Sequence, residues 1–352
     1  MPFFIRRFWL LARGILVDRD HPPLARLAAI QNPDDFVWAI LPHAARTFSV
    51  SILLLPAKAA RAAAVGYLYA RMLDTYEDLS TSWVDARRAM AAFAERFDTV
   101  PPAPAPVAPN PANPDSRDKV HLLLIDRHHV VDELFAELSL VDQRSVADLV
   151  RDMASAMSDS SAIFEQQGGV LDDQQQVLDY CRGVIGLPAL FTMDLLLETG
   201  SDKHASDALE VSELIQLANI TRDVEKDLQR GVAYHPALKP HLGSAGEGEV
   251  ALVVEGARRD LVRLAIKRVR SFRRLLDAAD LPRLSAARVA AVLMMLFTER
   301  HYRPYVAESK TDRPQRQRGV ATMLLTALPA AFSPRWADRM LVRAEEDLLA
   351  TG

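Results

Sequence analysis

The sequence predicts an all-α fold built as a single large helical bundle, and three features of the chain support this prediction. Apolar residues recur at three- and four-residue steps over long stretches, which is the spacing of an amphipathic helix. Only 14 of the 352 residues are glycine, too few for the many tight turns of a β-architecture. The chain also lacks runs of alternating β-branched residues and any internal repeat of fixed period.

Glycine and proline separate the helical stretches. The Ala-rich stretch from Lys58 to Leu79 is the first clear helix, and similar stretches lie near 131–165, 172–199, 203–229, 250–279 and 285–308. The breaks fall at Gly168-Gly169, Gly200, Gly231, Pro236 to Gly248, and Pro282. This pattern predicts eight to ten long helices, all within one domain that spans residues 1–352.

A proline-rich segment at 98–118 interrupts the helical pattern. Seven of the 21 prolines fall between Pro101 and Pro114. Because proline lacks an N–H and fixes φ, this segment can neither form a helix nor pair as a strand. We predict an exposed, polyproline-like loop. Since the motifs on its two sides look like halves of one site, we interpret it as a loop inserted into one domain.

The composition excludes several classes of function. With 42 Lys plus Arg against 46 Asp plus Glu, the net charge of −4 argues against a nucleic-acid partner. Cys181 is the only cysteine, so an intrachain disulfide and a zinc ribbon are excluded. No glycine-rich dinucleotide fingerprint is present, which excludes a Rossmann cofactor domain. We expect a reduced, mostly helical protein in the cytoplasm.

The first 17 residues carry three arginines in an otherwise apolar stretch. A signal peptide would have an uninterrupted apolar region and a small-residue cleavage site, and neither is present. As a helix, this segment could lie in a membrane interface at the inner face, or it could pack on the protein's own core. The longest later apolar run, Val320 to Phe332, is shorter than the about 20 residues that cross a bilayer.

An acidic motif lies near the end of the first predicted helix. Residues three and four apart stack along one face of a helix, and the residues on this face are Tyr67, Arg71, Asp74 and Asp78. Glu77 lies beside them, and apolar residues flank the set. A single D-x-x-x-D pair is usually a solvated surface feature, but the apolar neighbours argue against that interpretation here.

A second acidic motif repeats this spacing. Its face carries Gln216, Asn219, Asp223 and Asp227, and Arg222 is adjacent to the first aspartate. Stacked carboxylates repel each other, and burying them unpaired would cost far more free energy. Two such pairs facing each other are therefore favourable only with cations between them, and oxygen ligands of this kind indicate Mg²⁺.

Arginines accompany both motifs. Arg46, Arg71 and Arg222 would face the anion that accompanies Mg²⁺, since guanidinium groups bind phosphate oxygens in a bidentate manner. The pattern therefore indicates a site for a diphosphate substrate. A basic run at 258–274 has two interpretations: a solvated helix face, or a contact with anionic lipid or with the phosphates of a nicotinamide cofactor.

Four segments, in this order, resemble the squalene/phytoene synthases, which join two isoprenoid diphosphates head to head. They are Leu41 to Phe48, Asp74 to Asp78, Tyr180 to Gly186, and Asn219 to Asp227 followed by Tyr234-His235-Pro236. They are similar to the opening segment of the family, its first aspartate motif, its Tyr-Cys segment and its second aspartate motif. The resemblance runs from about Ala39 to Tyr305, most of the chain.

The resemblance implies an isoprenoid-synthase bundle with its active site in a central cavity. It implies Mg²⁺ ligands at Asp74, Glu77, Asp78, Asn219, Asp223 and Asp227. It implies diphosphate contacts from Arg46, Tyr67, Arg71, Gln216, Asn219 and Arg222. Tyr180 matches a tyrosine at the reacting carbons, so the implied catalytic residues are Tyr180, Arg71 and the four aspartates.

The implied substrates are allylic isoprenoid diphosphates. The stretch from Ala45 to Ile52 looks like squalene-forming members, which favours condensation of two farnesyl diphosphates through presqualene diphosphate to squalene, with Mg²⁺ and NADPH as cofactors. The alternatives are phytoene from two geranylgeranyl diphosphates, or a half-reaction to or from presqualene diphosphate. A non-catalytic assembly or lipid-carrying relative is disfavoured because all four aspartates are present. A monomer with peripheral membrane contact is favoured.

Three positions depart from the family pattern. Lys226 stands where an acid is usual, although the four-residue spacing of the aspartates is kept. Pro188 follows Gly186 and Leu187, where we expect it to alter a helix kink and with it the chain-length preference. The arginine that often precedes the aromatic residue at 234 is missing, and Arg230 is the candidate to replace it.

Overall fold

The computed structural model describes residues 9–11, 14, 17–18, 20–45, 48–99, 101–196, 204–279, 281–282, 284–306 and 319–349. The fold is all-α, as predicted. No strand occurs in these ranges, and the extended backbone is limited to an isolated parallel bridge between Val170 and Ala233.

The chain divides into two compact units. The first lies within residues 1–161 and 191–199, and the second within 162–190 and 200–352. The predicted single domain over 1–352 stays a prediction.

The helices of the first unit are α1 (Leu24–Ala28), α2 (Pro33–Ala44), α3 (Phe48–Leu54), α4 (Ala57–Leu79), α5 (Trp83–Glu95), α6 (Ser116–Asp126), α7 (His128–Ala136) and most of α8 (Leu140–Gln167). Most side chains of α4 are buried. Its Gly66 is required for packing, because a Cβ there would lie 2.8 Å from the ring of Phe191.

Edge-to-face aromatic contacts fill the core beside α4. The ring of Tyr69 contacts those of Phe93, Phe97 and Phe135 at centroid distances of 5.1–6.0 Å. The Tyr69 hydroxyl donates a 2.7 Å hydrogen bond to Asp132, so its polar end is satisfied inside the core.

The second unit contains α9 (Gln174–Cys181), a π-helical turn (Arg182–Gly186), the start of α10 (Leu187–Leu196), α11 (Ala205–Gln229), α12 (Glu249–Ile266), α13 (Ser271–Ala278), α14 (Ala286–Val306), α15 (Val320–Ala327) and α16 (Pro334–Leu349). Helix α11 packs against α12, α13, α14 and the π turn, which places it at the centre of this unit.

The described ranges contain sixteen α-helical segments, of which ten have ten or more residues, in agreement with the predicted eight to ten long helices; the other six are shorter. The stretch predicted at 131–165 is divided into α7 and α8. Ser139 explains the division, since its hydroxyl oxygen accepts a 3.2 Å hydrogen bond from the backbone N–H of Asp142 and caps the new helix. The stretch at 250–279 is divided into α12 and α13. The break predicted at Gly200 lies outside the described residues.

The proline-rich segment is held against the first unit. Helix α6 begins at Ser116, so the loop is shorter than the predicted range of 98–118. The Tyr76 hydroxyl donates to the Pro106 carbonyl (2.6 Å), Arg96 Nε donates to the Ala103 carbonyl (2.5 Å), and the Ala105 N–H donates to His128 Nε2 (3.1 Å). Its first half is therefore anchored, while Val107 is exposed.

Most of the predicted amphipathic helix at 1–17 lies outside the described residues. Within this segment the structure describes residues 9–11, 14 and 17, and residues 9–11 and 14 are helical. Across the described ranges, none of the helices combines the length and the apolar character needed to cross a bilayer.

Candidate functional site

The first acidic face lies on α4, where Tyr67, Arg71, Asp74 and Asp78 occupy successive turns. Arg71 Nη1 lies 3.0 Å from Asp74 Oδ2, and Arg71 Nη2 donates a 3.0 Å hydrogen bond to the Tyr67 hydroxyl. The face is half-buried at Tyr67, Arg71 and Asp74 and exposed at Asp78. The arginine is thus held between a phenol and a carboxylate, with the second carboxylate one turn further on.

Negative charge on this face is only partly compensated. Burial raises the pKa of Asp74 to about 6, the Asp78 carboxylate adds to the rise, and Arg71 opposes it. Burial also raises the pKa of Glu77 well above its usual range, with Asp78 and Asp74 contributing. Glu77 Oε1 is buried without a hydrogen-bond partner. A cation at this face would offset the burial of the Asp74 and Glu77 carboxylates.

The second acidic face lies on α11, in the second unit. Arg222 forms a bidentate pair with Asp223, in which Nε donates to Oδ1 at 2.7 Å and Nη2 donates to Oδ2. Asn219 Nδ2 donates a 3.0 Å hydrogen bond to Gln216 Oε1. Arg222, which was predicted to face a diphosphate, is therefore paired with Asp223, the first aspartate of its own motif.

Asp227 lies in the last turn of α11, which ends in a Schellman motif. Gly231 adopts a φ of +78°, its N–H donates to the Leu228 carbonyl (3.0 Å), and the Val232 N–H donates to the Asp227 carbonyl (2.9 Å). The glycine allows the left-handed turn that ends the helix. The backbone of Asp227 is thereby fixed.

Helix α8 ends in the same way, and the two helix ends meet. Gly168 has a φ of +71°, and the Gly169 N–H donates to the Phe164 carbonyl (2.7 Å). The Ala233 N–H then donates to the Gly169 carbonyl, and the Leu171 N–H to the Ala233 carbonyl, both at 2.9 Å. These bonds join the chain that leaves α8 to the chain that leaves α11.

This junction positions an aromatic cluster formed by Phe164, Tyr180 and Tyr234. The centroid distances are 5.2 Å for Tyr180 and Tyr234, 5.7 Å for Phe164 and Tyr234, and 6.1 Å for Phe164 and Tyr180. Tyr180 is buried. The sequence singled out Tyr180 and noted Tyr234, but it missed Phe164. Its only local signal was its place one turn before the Gly168-Gly169 break.

The segment after Tyr180 turns as a π helix instead of a simple kink. The Leu187 N–H donates to the carbonyl of Arg182, five residues earlier. Pro188 comes directly after this turn, where its missing N–H and its ring are accommodated by the wider backbone. A Cβ at Gly186 would lie 2.8 Å from Leu209, so the turn is also packed tightly on α11.

The basic run at 258–274 contains both exposed and buried side chains: Arg259, Arg263, Lys267, Arg270 and Arg274 are exposed, as a solvated face would be, whereas Arg258 and Arg268 are held by acids of the same unit. Arg258 is buried and bonds Glu225 (2.5 Å), Glu255 (3.1 Å) and the Thr221 carbonyl (3.0 Å). Arg268 bonds Glu213, which also accepts from Arg182 Nε at 2.7 Å. A contact of this run with anionic lipid or with a nicotinamide cofactor stays a prediction.

The predicted site residues fall into two sets. One set lies on α4 and contains Tyr67, Arg71, Asp74, Glu77 and Asp78; the other contains Gln216, Asn219, Arg222, Asp223 and Asp227 on α11 with Tyr180 on α9. Arg46 lies outside the described residues. The roles of all these residues stay predictions.

No three potential metal-binding side chains are gathered around one point in the part of the chain that the structure describes. Mg²⁺ is commonly held by one or two carboxylates with water and phosphate oxygens completing its shell. The oxygen-only donors of each face and the unpartnered Glu77 Oε1 fit that mode of binding.

Comparisons with known proteins identify the family. The model of the squalene/phytoene synthase family matches residues 41–322. Squalene synthase 1 of Arabidopsis thaliana is 27% identical over 199 residues, which is 55% of this chain and 44% of that protein. Squalene synthase of Solanum lycopersicum is 27% identical over 210 residues, 58% of this chain and 47% of that protein. The chain thus spans about half the length of the curated relatives it matches.

Among solved structures, a complex of TcSQS with a ligand superposes with a TM-score of 0.68 at 18% sequence identity, covering 91% of this chain and 92% of that one. At that identity the likeness establishes the fold. Since the family model covers most of the sequence, from the segment before α3 to α15, the chain belongs to the squalene/phytoene synthase family.

Proposed function

We propose that this protein is a Mg²⁺-dependent prenyltransferase that condenses two molecules of farnesyl diphosphate head to head, through presqualene diphosphate, to squalene. The observation that carries the proposal is the pair of acidic helix faces on α4 and α11, each with an arginine on or beside it. The similarity to the squalene synthases of Arabidopsis thaliana and Solanum lycopersicum supports the choice of product.

The metal ligands in this proposal are the four aspartates of the two faces, with Glu77 and Asn219 in support. Bound there, Mg²⁺ supplies positive charge that stabilises the departing diphosphate. Arg71, Arg222 and Arg46 hold diphosphate oxygens, and Tyr67 and Gln216 supply further polar contacts. Arg222 must first leave Asp223, its partner in the structure. When this pair separates, Asp223 becomes available to bind Mg²⁺ and Arg222 becomes available to bind diphosphate.

The aromatic cluster supplies the apolar part of the site. When diphosphate leaves with the bonding electron pair, an allylic cation remains, and the double bond of the second chain attacks it. The faces of Tyr180 and Tyr234 can stabilise positive charge, and the buried rings of Phe164 and Tyr180 exclude water that would otherwise trap the cation. When the cyclopropane ring closes, a proton is lost, and we assign the removal of this proton to the Tyr180 hydroxyl. In the second stage, the remaining diphosphate would leave with its bonding electron pair, and the cation that forms would rearrange against the same rings; NADPH, when bound, would supply the hydride that neutralises it.

The substrate can be tested directly by product analysis. Purified protein is incubated with Mg²⁺ and either farnesyl or geranylgeranyl diphosphate, with and without NADPH, and extracted lipids are identified by mass. We expect squalene only with farnesyl diphosphate and NADPH. A C40 hydrocarbon without reductant would identify phytoene formation instead. Presqualene diphosphate as the end product, even with NADPH, would identify a half-reaction.

The metal assignment has its own test with matched controls. Asp74→Asn and Asp223→Asn should each lower turnover at least about 100-fold, the scale seen when one electrostatic group of an active site is removed. Asp148→Asn on α8 and Asp260→Asn on α12 remove exposed aspartates and should leave turnover unchanged. Near-wild-type rates in Asp74→Asn or Asp223→Asn would refute the metal assignment. A lipid-carrying relative would show no turnover in any of the variants or in the wild type. A cytoplasmic location and a monomeric state stay predictions from the sequence.

A further inference from the structure

One buried face of α8 is apolar until its last member, which is a serine. Leu149, Met153, Met157 and Ser161 follow one another at steps of four, so they lie on one face of the helix. All four side chains are buried, and Ser161 is 0% exposed. A hydroxyl in such a place costs free energy unless it has a partner. The group that Ser161 faces therefore decides what this residue does.

Helix α8 lies along the side of α4 that leads to Glu77. A Cβ at Gly66 would lie 3.3 Å from Leu149 Cδ2, so the two helices pack closely there. Glu77 comes eleven residues after Gly66, and Ser161 comes twelve residues after Leu149. Both helices advance about 1.5 Å per residue, so the two side chains reach the same level. The Ser161 hydroxyl is accordingly close to the Glu77 carboxylate.

Both members of this pair are left for each other. Within the described residues, Ser161 Oγ and Glu77 Oε1 are buried atoms without a hydrogen-bond partner. The adjacent Ser160 differs, because its hydroxyl donates to the Ala156 carbonyl one turn earlier (3.1 Å). A serine inside a helix commonly bonds its own backbone in that way. Ser161 does not, and its hydroxyl remains available to α4.

The Ser161 hydroxyl favours the charged form of Glu77. Burial raises the pKa of Glu77, Asp78 and Asp74 add to the rise, and the Ser161 hydroxyl opposes it. A donor has this effect because it stabilises the carboxylate more than the neutral acid. A carboxylate that binds a cation through one oxygen keeps the other for such a donor, and outer donors of this kind orient metal ligands.

We propose that Ser161 is a positioning residue for the acidic face of α4: its hydroxyl donates to the Glu77 carboxylate and holds it toward a divalent cation bound there. None of the sequence motifs contains Ser161. Its effect passes through Glu77, since it lies on the apolar side of α8 and is fully buried. The inference rests on the proposed function, because it takes the acidic face of α4 to be a cation site.

Cation binding to two serine variants tests the proposal. Mn²⁺, which accepts the same oxygen ligands as Mg²⁺, is titrated into the full chain, and the free ion is measured by electron paramagnetic resonance. The binding step that is lost in Asp74→Asn belongs to α4. Ser161→Ala should weaken this step about 10-fold, as expected for removing an outer hydrogen bond to a metal ligand. The matched control Ser160→Ala removes a hydroxyl that serves its own helix, and it should bind Mn²⁺ like wild type.

Stability separates positioning from packing. In metal-free buffer, Ser161→Ala removes a buried hydroxyl that has no hydrogen-bond partner among the described residues, so it should melt at or above the temperature of wild type. A serine that only supported the fold would give the opposite result, a lower melting temperature with unchanged Mn²⁺ affinity. In a Glu77→Gln background, adding Ser161→Ala should change Mn²⁺ affinity by less than about 2-fold, because the two residues act as one unit.

Three results would overturn the proposal. They are a Mn²⁺ affinity of Ser161→Ala within about 2-fold of wild type, a loss that persists in the Glu77→Gln background, and a wild-type chain that binds no Mn²⁺ at α4. Product formation is measured in parallel. If wild type forms product while Ser161→Ala keeps its Mn²⁺ affinity, only the role of Ser161 fails. If Ser161→Ala weakens Mn²⁺ binding but wild type forms no product, the proposed function fails and the positioning role stands.

Discussion

Replacing Gly169 with alanine should destabilise the protein far more than the same change at the adjacent Gly168. Both glycines have positive φ, so both substitutions strain the backbone. At Gly168 an added Cβ would meet nothing within 4 Å, and the cost is about 1 kcal/mol for a left-handed alanine. At Gly169 the Cβ would lie 2.3 Å from the Gly231 carbonyl oxygen, so the two helix ends must separate.

Separation breaks the two backbone hydrogen bonds that Ala233 makes with Gly169 and Leu171. Each bond contributes about 1 kcal/mol to stability, which brings the expected loss in Gly169→Ala to about 3 kcal/mol. For a unit of this size, about 1 kcal/mol changes the melting temperature by about 2–4 °C. Gly168→Ala should therefore melt about 2–4 °C below wild type, and Gly169→Ala about 6–12 °C below it.

The same change should affect turnover, because Tyr234 follows Ala233 and packs on Tyr180. Thermal unfolding by circular dichroism and product formation at a temperature where all variants are folded would measure both effects. Gly168→Ala should keep its turnover, and Gly169→Ala should lose it. Melting temperatures of the two variants within about 2 °C of each other would show that the junction does not constrain the unit.

Three further predictions follow from charged and buried groups. In metal-free buffer near pH 8, Asp74→Asn should melt above wild type, because burial raises the pKa of Asp74 to about 6 and therefore disfavours its charged form in the folded protein. Wild type loses stability as the pH rises from about 4 through about 6 and Asp74 ionises. The difference in melting temperature between the two proteins should therefore vanish near pH 4. Glu213→Leu should lower the free energy of unfolding by about 3 kcal/mol by leaving the Arg268 guanidinium without its buried partner. Adding Arg268→Met should recover most of that loss in denaturant titrations, and simple additivity of the two losses would contradict the reasoning. Burial raises the pKa of the Cys181 thiol well above its usual range, so a chromogenic disulfide reagent should modify it only as fast as the protein unfolds, and rapid labelling of the native protein would show that Cys181 is accessible.

Sequence periodicity was sufficient to locate the two helices that carry the acidic faces. The stretch predicted from Lys58 to Leu79 is α4, which begins one residue earlier, and the stretch near 203–229 is α11. Helix geometry then follows from spacing alone, so the sets on each face were predictable. Contacts between segments that are distant in the sequence were not predictable in this way. Phe164 joins the aromatic cluster only because two Schellman motifs bring the ends of α8 and α11 together.

The arginines of α12 show a second limit of sequence reasoning. Their helical spacing is that of a solvated face, yet Arg258 is buried against Glu225 of α11 and the ring of Tyr305. Pairing between helices depends on which faces meet, and a local pattern does not contain that information. The π turn after Tyr180 is a further example. The sequence motif predicted only a helix kink near Pro188, whereas the structure accommodates Pro188 through the wider backbone of a π helix.

The proline content of the loop lowers the conformational entropy that is lost when the loop is ordered on the folded protein. Seven fixed φ angles between Pro101 and Pro114 restrict the unfolded chain as much as the folded one, so ordering this segment loses less conformational entropy than ordering a flexible loop of equal length. Three hydrogen bonds are then enough to keep its first half in place. A glycine- and serine-rich replacement of the same length would face a larger entropic penalty with the same three bonds, and it would spend much of its time detached from the helices beneath it.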